Sequence, residues 1–188
     1  MDKIKQITIA SGGVIATSFL PLYLYALRIE YNIQVNVALS PEALNFVTLP
    51  SMRAISGGVV YTKNVQFDSN NLPLHITLSQ SDLLILYPAS ARIIAQCATG
   101  EINCCVTRLF AFTPKEKIII CPILHPQMER QLYQPHITKL ESLGCKIIGS
   151  IEEAPNWVQI QNFFIKKLRL KARDGNLRSH LLSSLIMG

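Results

Sequence analysis

The sequence predicts a single α/β domain, built as one parallel sheet with helices on both faces in a Rossmann-like or flavodoxin-like arrangement. Three observations support this. Short continuous apolar runs recur along the chain, segments of helical periodicity lie between them, and 188 residues suffice for one full core. Because the strands of a parallel sheet are buried on both faces, this alternation favours the parallel class over a sandwich or two domains.

The order of the predicted elements follows from these runs and from the residues that flank them. Strands are predicted at 4–10, 33–40, 82–87, 117–124 and 146–150. Helices are predicted over 14–29, 41–47, 89–99, 126–143 and 156–172. Pro21 is expected to kink the first helix or to make it irregular. Ser40 and Pro41 are a typical helix cap and first helical residue, and Gly100 and Gly144 are typical helix ends.

Composition narrows the class of protein. The chain is 49% hydrophobic and 16% charged, which is typical of globular proteins. Its longest apolar stretch is shorter than the roughly 18–20 residues of a membrane span, so no membrane partner is expected. Five cysteines occur without a CxxC motif or a histidine at zinc spacing. This usage predicts no metal site and a reducing, cytoplasmic setting.

The net charge of +6 is concentrated near the C-terminus, where residues 166–178 contain six cations and one anion. We therefore divide the chain into one main domain, 1–172, and a basic C-terminal tail, 173–188. A nucleic-acid surface usually interleaves aromatic residues with the cations or belongs to a known module, and neither is evident here. The segment is expected to be a solvated helix end, with no nucleic-acid partner.

In parallel sheets, ligands bind beyond the carboxyl ends of the strands. Three such corners carry small or polar residues, namely residues 11–13 after the first strand, Ser40 at the end of the second, and residues 88–91 after the strand predicted at 82–87. None of them matches a nucleotide-binding motif. A glycine pair can admit a phosphate, although many such turns have glycines for geometry alone. No acid ends the second strand to hold a ribose diol, so the corners favour FMN over NAD. The predicted cofactor-binding residues are Ser11, Gly12, Gly13, Ser40, Phe46, Pro88, Ala89, Ser90 and Ala91.

Two histidines lie near the predicted ligand-facing edge. His75 follows a proline-bearing loop, and His125 follows the strand predicted at 117–124. A histidine in an α/β protein is usually a surface or core residue, but its imidazole can act as a base near neutral pH. Both are candidate catalytic residues.

Four stretches carry a family resemblance: "ASGG", "SPEALNF", "PLHITLSQSDLLIL" and "PASARIIAQCATG". Over residues 4–150 the chain resembles the homo-oligomeric flavin-containing cysteine decarboxylases. These include the phosphopantothenoylcysteine decarboxylases and the peptidyl-cysteine decarboxylases of lantibiotic biosynthesis. The resemblance implies FMN bound against the three corners at a subunit interface, in a homotrimer or a homododecamer of trimers.

The resemblance also implies a reaction. His75 would help deprotonate the C-terminal cysteine of a precursor peptide, and the flavin would take a hydride. The resulting thioaldehyde would lose carbon dioxide to give an enethiolate for aminovinyl-cysteine formation. Two alternatives stay open. One is a phosphopantothenoylcysteine decarboxylase of coenzyme A synthesis, and the other is a non-catalytic FMN-binding interaction protein.

Two asparagines of the family pattern are replaced in this chain. Arg92 replaces the asparagine of PASAN, and His125 replaces that of PxMNxxMW, where this chain has "PILHPQME". Met128 matches the second methionine of the second motif, while Glu129 replaces its tryptophan. In a divergent decarboxylase His125 and Arg92 would bind the substrate carboxylate, with Met128 beside them. Otherwise the protein has kept the pocket and changed the reaction, or Arg92 turns outward and is only solvated.

Overall fold

The computed structural model describes residues 4–173, which form one six-stranded parallel sheet. Its strand order is β3-β2-β1-β4-β5-β6, the doubly wound order of dinucleotide-binding folds. The strands are β1 (Lys5–Ser11), β2 (Ile33–Leu39), β3 (Val60–Tyr61), β4 (Leu83–Ala89), β5 (Ile118–Pro122) and β6 (Lys146–Ile147). The predicted fold class is confirmed.

Seven α-helices and four short 3-10 helices connect the strands within these residues. The α-helices are α1 (Leu20–Glu30), α2 (Leu49–Ser56), α3 (Leu74–Ser79), α4 (Ala91–Thr99), α5 (Cys105–Phe112), α6 (Gln134–Ser142) and α7 (Trp157–Leu168). The 3-10 helices span Ile15–Phe19, Pro41–Asn45, Lys115–Lys117 and Arg130–Tyr133.

The core consists of two apolar layers, one on each face of the sheet. On one face, alternate strand residues such as Ile7 and Ile85 pack against α1, α2 and α7. On the other face, residues such as Leu84 and Ile120 pack against α3, α4, α5 and α6. Side chains from both faces of the central strands are therefore buried, which explains why these strands are continuous apolar runs.

The last helix is held to the sheet by aromatic side chains. Trp157 stacks on Tyr23 of α1, with the ring centroids 4.8 Å apart and the planes within 4°. The Trp157 ring also lies 5.4 Å from that of Tyr87, at the end of β4. These contacts connect α7 to β4, the strand that leads into the central corner at residues 88–91.

Several predicted helices start later than expected, for reasons of backbone geometry. Residues 15–19 form a 3-10 turn, and α1 begins at Leu20 with Pro21 in its first turn. Proline suits this position because the first-turn amides of a helix have no intrahelical acceptor. The predicted irregularity is a change from 3-10 to α-helical geometry at Leu20, and Pro21 starts the α-helix instead of kinking it. Residues 41–45 likewise form a 3-10 helix. The helix predicted over 126–143 begins at Gln134, after the 3-10 turn Arg130–Tyr133.

The predicted tail lies almost wholly outside the described residues, so the division at residue 172 stays a prediction. Arg173 is tied to the end of α1, where its backbone amide donates to the Glu30 carbonyl at 2.8 Å. Between residues 4 and 173 there is no helix with the length and apolarity needed to cross a membrane. In the same range, no group of three or more histidine, cysteine or acidic side chains is placed to hold a metal ion.

Candidate functional site

The candidate site lies where the carboxyl ends of β1 and β4 meet. These neighbouring strands are followed by crossovers on opposite faces of the sheet, α1 after β1 and α4 after β4. This is the topological switch point, where open α/β sheets bind ligands. The two corners are bonded directly, because the Gly12 amide donates to the Pro88 carbonyl at 3.0 Å.

The glycine pair after β1 is required by close packing. A Cβ atom on Gly12 would lie 2.7 Å from Ser90 Oγ and 3.1 Å from Ile93 Cγ1. A Cβ atom on Gly13 would lie 2.8 Å from the carbonyl carbon of Glu42. The turn after β1 is therefore pressed between the corners after β4 and β2, and a larger residue at either position would force them apart.

These corners border a cavity of about 370 Å³, which is within the size range of small-molecule sites. Six predicted site residues line it: Gly13, Ser90, Ala91, Arg92, His125 and Met128. The sequence analysis did not name Val14, Glu42 and Tyr133, which also line it. The structure therefore brings together the glycine turn, the central corner and both departures from the family pattern.

Two predicted cofactor ligands have internal partners instead. Ser11 and Ser40 are both fully buried. The Ser11 hydroxyl donates to the Gly12 carbonyl at 3.1 Å, and the Ser40 hydroxyl accepts the Ala43 amide at 3.2 Å. These bonds fix the backbone of the turns after β1 and β2, so in this structure both serines stabilise the turns that border the cavity instead of lining it.

Four further predicted cofactor residues also lie outside the lining of this cavity: Gly12, Phe46, Pro88 and Ala89. Pro88 and Ala89 are the last residues of β4 and are buried. Phe46 borders a separate cavity of about 400 Å³, together with Pro21 and Thr48. Within one copy of the chain, Phe46 therefore does not share the cavity with His125.

The central corner leads directly into a helix N-terminus. Ser90 caps α4, and its hydroxyl accepts the Ile93 amide at 3.4 Å. The amides of Ala91 and Arg92 in the first turn have no intrahelical acceptor, and a helix N-terminus carries partial positive charge. Together with the absence of bulk at Gly13 and Ala91, this edge fits an anionic group joined to a flat ring, as in a flavin mononucleotide.

Arg92 forms an ion pair with Glu42 across this cavity. Its side chain is 58% exposed and that of Glu42 is 42% exposed. Arg92 is therefore more than half exposed, and its guanidinium is paired with an acid instead of being only solvated. Glu42 is the functional candidate that sequence reasoning missed. The available signal was its position as the one acid in the "SPEALNF" corner.

His125 presents one particular nitrogen as a donor. Its Nδ1 atom accepts the Gln127 amide at 3.2 Å, in a turn closed by the Met128 amide donating to the His125 carbonyl at 3.0 Å. Because Nδ1 is an acceptor, the neutral ring carries its proton on Nε2. The Nε2–H group is then available to donate to an anionic ligand.

His75 lies elsewhere, in the first turn of α3. Its ring centroid is 4.6 Å from that of Phe112 at the end of α5. Burial, and secondly the positive charge of Arg108, lower the pKa of His75 below its ordinary value. Among residues 4–173, His75 is not part of the lining of the cavity that contains His125.

Comparisons with known proteins agree with this architecture. A family model described as Flavoprotein matches residues 1–169. The coenzyme A biosynthesis bifunctional protein CoaBC of Haemophilus influenzae is 31% identical over 147 residues, covering 77% of this chain. This chain spans only 36% of that relative. A Streptococcus mutans protein named "Probable phosphopantothenoylcysteine decarboxylase" is 30% identical over 153 residues, covering 80% of this chain and 83% of the relative.

Solved structures share the fold at lower identity. The FMN-dependent cysteine decarboxylase TvaF from thioviridamide biosynthesis superposes with a TM-score of 0.67 at 24% identity, covering 77% of this chain and 89% of its own. The peptidyl-cysteine decarboxylase EpiD gives 0.70 at 20% identity, with 87% and 99% covered. The FMN binding protein AtHal3 gives 0.73 at 16% identity, with 87% and 98% covered.

The matched region includes nearly every described residue, and it contains both the switch-point cavity and the corners that border it. A flavin is the cofactor class that this match implies, in agreement with the FMN predicted from the corners. The chain belongs to the flavoprotein family.

Proposed function

We propose that this protein is an FMN-dependent decarboxylase acting on a substrate that ends in an N-acylated cysteine. The observation that carries the proposal is the cavity at the switch point, which places Arg92 and His125 beside the corner suited to a flavin. A cation and an imidazole N–H together form a good binding site for a carboxylate. The names of both the sequence relatives and the structural neighbours support the same reaction class.

The residues of the chain would have distinct roles in this reaction. Gly13, Ser90 and Ala91 would hold the cofactor, and Arg92 with His125 Nε2 would bind and orient the substrate carboxylate. When bound, the flavin supplies the two-electron oxidation that makes loss of carbon dioxide feasible. His75, kept neutral by its lowered pKa, would accept the thiol proton of the substrate cysteine.

We propose that His75 reaches the site from a second copy of the chain, in a homotrimer or a dodecamer of trimers. In one copy it contacts Phe112 and lies away from the His125 cavity. The loops and helices around α3 and α5 expose apolar side chains, which suits a surface covered by another subunit. These side chains are Val65, Phe67, Leu72, Ile102 and Phe112.

Two substrate classes follow from the comparisons. A precursor peptide with a C-terminal cysteine is supported by the likeness to TvaF and EpiD. The second candidate, 4'-phosphopantothenoylcysteine, is favoured by the names of the relatives with 30–31% identity. Both substrates present an N-acylcysteine carboxylate, so the same cavity could accept either one.

The test is to incubate the flavin-loaded protein with each substrate and to measure the products by mass spectrometry. Loss of carbon dioxide and two hydrogens from a cysteine-ending peptide would support the peptide class. Loss of carbon dioxide from 4'-phosphopantothenoylcysteine would support the coenzyme A class. A flavin-bound protein that changes neither substrate would contradict the proposal and favour a non-catalytic FMN-binding protein. A colourless protein that cannot be reconstituted with FMN would contradict the flavin site itself.

A further inference from the structure

We propose that Glu42 is a specificity-determining residue that limits the preference of the cavity for a carboxylate, because it pairs with the Arg92 guanidinium in the free chain and must be displaced by the substrate carboxylate. The inference rests on the proposed function, and it concerns how the cavity distinguishes a carboxylate from a neutral group. It follows from the position of Arg92, the rigidity of the Glu42 backbone and the cavity that the two side chains share.

Arg92 stands in an electrostatically unfavourable position. It is the second residue of α4, and the first turn of that helix contains no acid. A cation near a helix N-terminus opposes the helix dipole, which is unfavourable. Arg92 therefore needs a negative partner from outside its own helix, and Glu42 provides one in the structure.

The backbone of Glu42 is fixed, so its carboxylate is delivered to Arg92 by a preorganised turn. Glu42 lies in the 3-10 helix Pro41–Asn45, which the Ser40 hydroxyl caps by accepting the Ala43 amide at 3.2 Å. On the other side its backbone packs against Gly13, where a Cβ atom would be only 2.8 Å from the Glu42 carbonyl carbon. Since the backbone of Glu42 is held on both sides, the part of Glu42 that moves when a ligand arrives is its side chain.

The pair itself is weak enough to exchange. Both side chains are substantially exposed, and exposed ion pairs contribute little to stability because water screens them. A substrate carboxylate in this cavity could accept hydrogen bonds from both Arg92 and His125 Nε2, whereas Glu42 forms its ion pair with Arg92 alone among residues 4–173. The substrate carboxylate therefore outcompetes Glu42, while an uncharged ligand end does not.

The test measures binding of two unreactive probes to the flavin-loaded protein by calorimetry. Both probes are short peptides with a C-terminal serine in place of cysteine, one as the free acid and one as the amide. Glu42→Gln removes the competing carboxylate, so we expect the acid to bind about two- to fivefold more tightly and the amide to bind unchanged. Arg92→Ala should remove this effect, so that adding Glu42→Gln to it changes nothing further.

Glu141→Gln is the matched control, because Glu141 is an exposed carboxylate on α6 that does not line the cavity. It should leave the affinities for both probes unchanged. Equal tightening in Glu141→Gln, or unchanged discrimination between acid and amide in Glu42→Gln, would overturn the role of Glu42. Equal binding of acid and amide by the natural sequence would overturn it as well. Turnover of cysteine-ending substrates is measured separately, so a decarboxylase without this competition and a carboxylate-selective protein without decarboxylation give different results.

Discussion

Arg108 affects the pKa of the proposed catalytic base, His75. It lies on α5 with its Nε atom buried and without a hydrogen-bond partner among residues 4–173. Its positive charge adds to the effect of burial in lowering the pKa of His75. A histidine with a lowered pKa stays neutral further into the acid range, which is the form that a general base requires.

We therefore predict that Arg108→Gln shifts the acid limb of the pH profile of kcat/KM to higher pH. Without the cation, the pKa of His75 rises towards its ordinary value, and more of the imidazole is protonated and inactive at a given acidic pH. The measurement is initial rate against pH for the variant and the natural sequence. His75→Ala should retain flavin and lose turnover. An unchanged acid limb in Arg108→Gln would show that this limb does not report His75.

At Gly12 the constraint is steric. Gly12→Ala would place its methyl group 2.7 Å from Ser90 Oγ, and we expect it to lower the free energy of unfolding by about 1–3 kcal/mol. Adding Ser90→Gly removes both close Ser90 atoms, at a cost of only a few tenths of a kcal/mol in capping, and should restore part of the loss. Denaturant unfolding of the two single variants and the double variant measures this coupling. Additive losses would contradict the proposed contact.

At the scale of elements, the apolar runs predicted the main strands well, because strands buried on both faces have few alternative compositions. The same reasoning missed α5, which has eight residues, CVTRLFAF, of which five are buried. A short apolar run is compatible with either a strand or a buried helix, so periodicity could not identify it. α2 and α3 were missed as well; α3 has only six residues and its N-cap position is Pro73.

The part of the candidate site that lies at the strand ends was predictable from the sequence. The carboxyl-edge rule correctly brought Gly13, Ser90 and His125 to one cavity. It could not reveal Glu42, since pairing with Arg92 depends on how closely the corner after β2 packs on Gly13. Nor could it show that Ser11 and Ser40 are hydrogen-bonded within their own turns.

The N-terminus of α7 offers a test of one element. Asn156 and Gln159 form a reciprocal capping box, with the Gln159 amide donating to Asn156 Oδ1 at 2.9 Å and the Asn156 amide donating to Gln159 Oε1 at 3.0 Å. We predict that Asn156→Ala lowers the free energy of unfolding by about 1 kcal/mol, whereas Asn156→Ser retains most of it. Chemical denaturation measures both. Equal stability of the alanine and serine variants would mean that the cap contributes little.

At the scale of the whole molecule, the separation of His75 from the His125 cavity is the main consequence of the fold. α3 and α5 pack on the same face of the sheet as α4, and the contact between His75 and Phe112 keeps the imidazole beside the end of α5. If both histidines serve one reaction, a symmetric assembly must bring them together, and one chain alone is an incomplete enzyme.

This arrangement predicts complementation between impaired chains. His75→Ala should lack turnover and His125→Ala should have weakened substrate affinity and turnover, but co-assembled in equal amounts they should form sites with both intact histidines in about a quarter of cases. Random pairing gives each shared site about one chance in four of receiving both intact histidines. The measurement is the rate after the two variants are co-expressed, with separately purified and unmixed variants as controls. No recovery in verified mixed oligomers would place both histidines in the same chain or remove one from the reaction.

The aromatic stack beneath the central corner also has a spectroscopic consequence. Trp157 is the sole tryptophan of the sequence, and it stacks on Tyr23 and lies against Tyr87, which directly precedes Pro88. Its fluorescence therefore comes from one known position, between the C-terminal helix and the strand that leads to the proposed flavin. Emission from this indole reports the docking of α7 without an added label. A flavin bound at the corner would quench it through energy transfer, so one natural fluorophore can monitor both folding and cofactor loading.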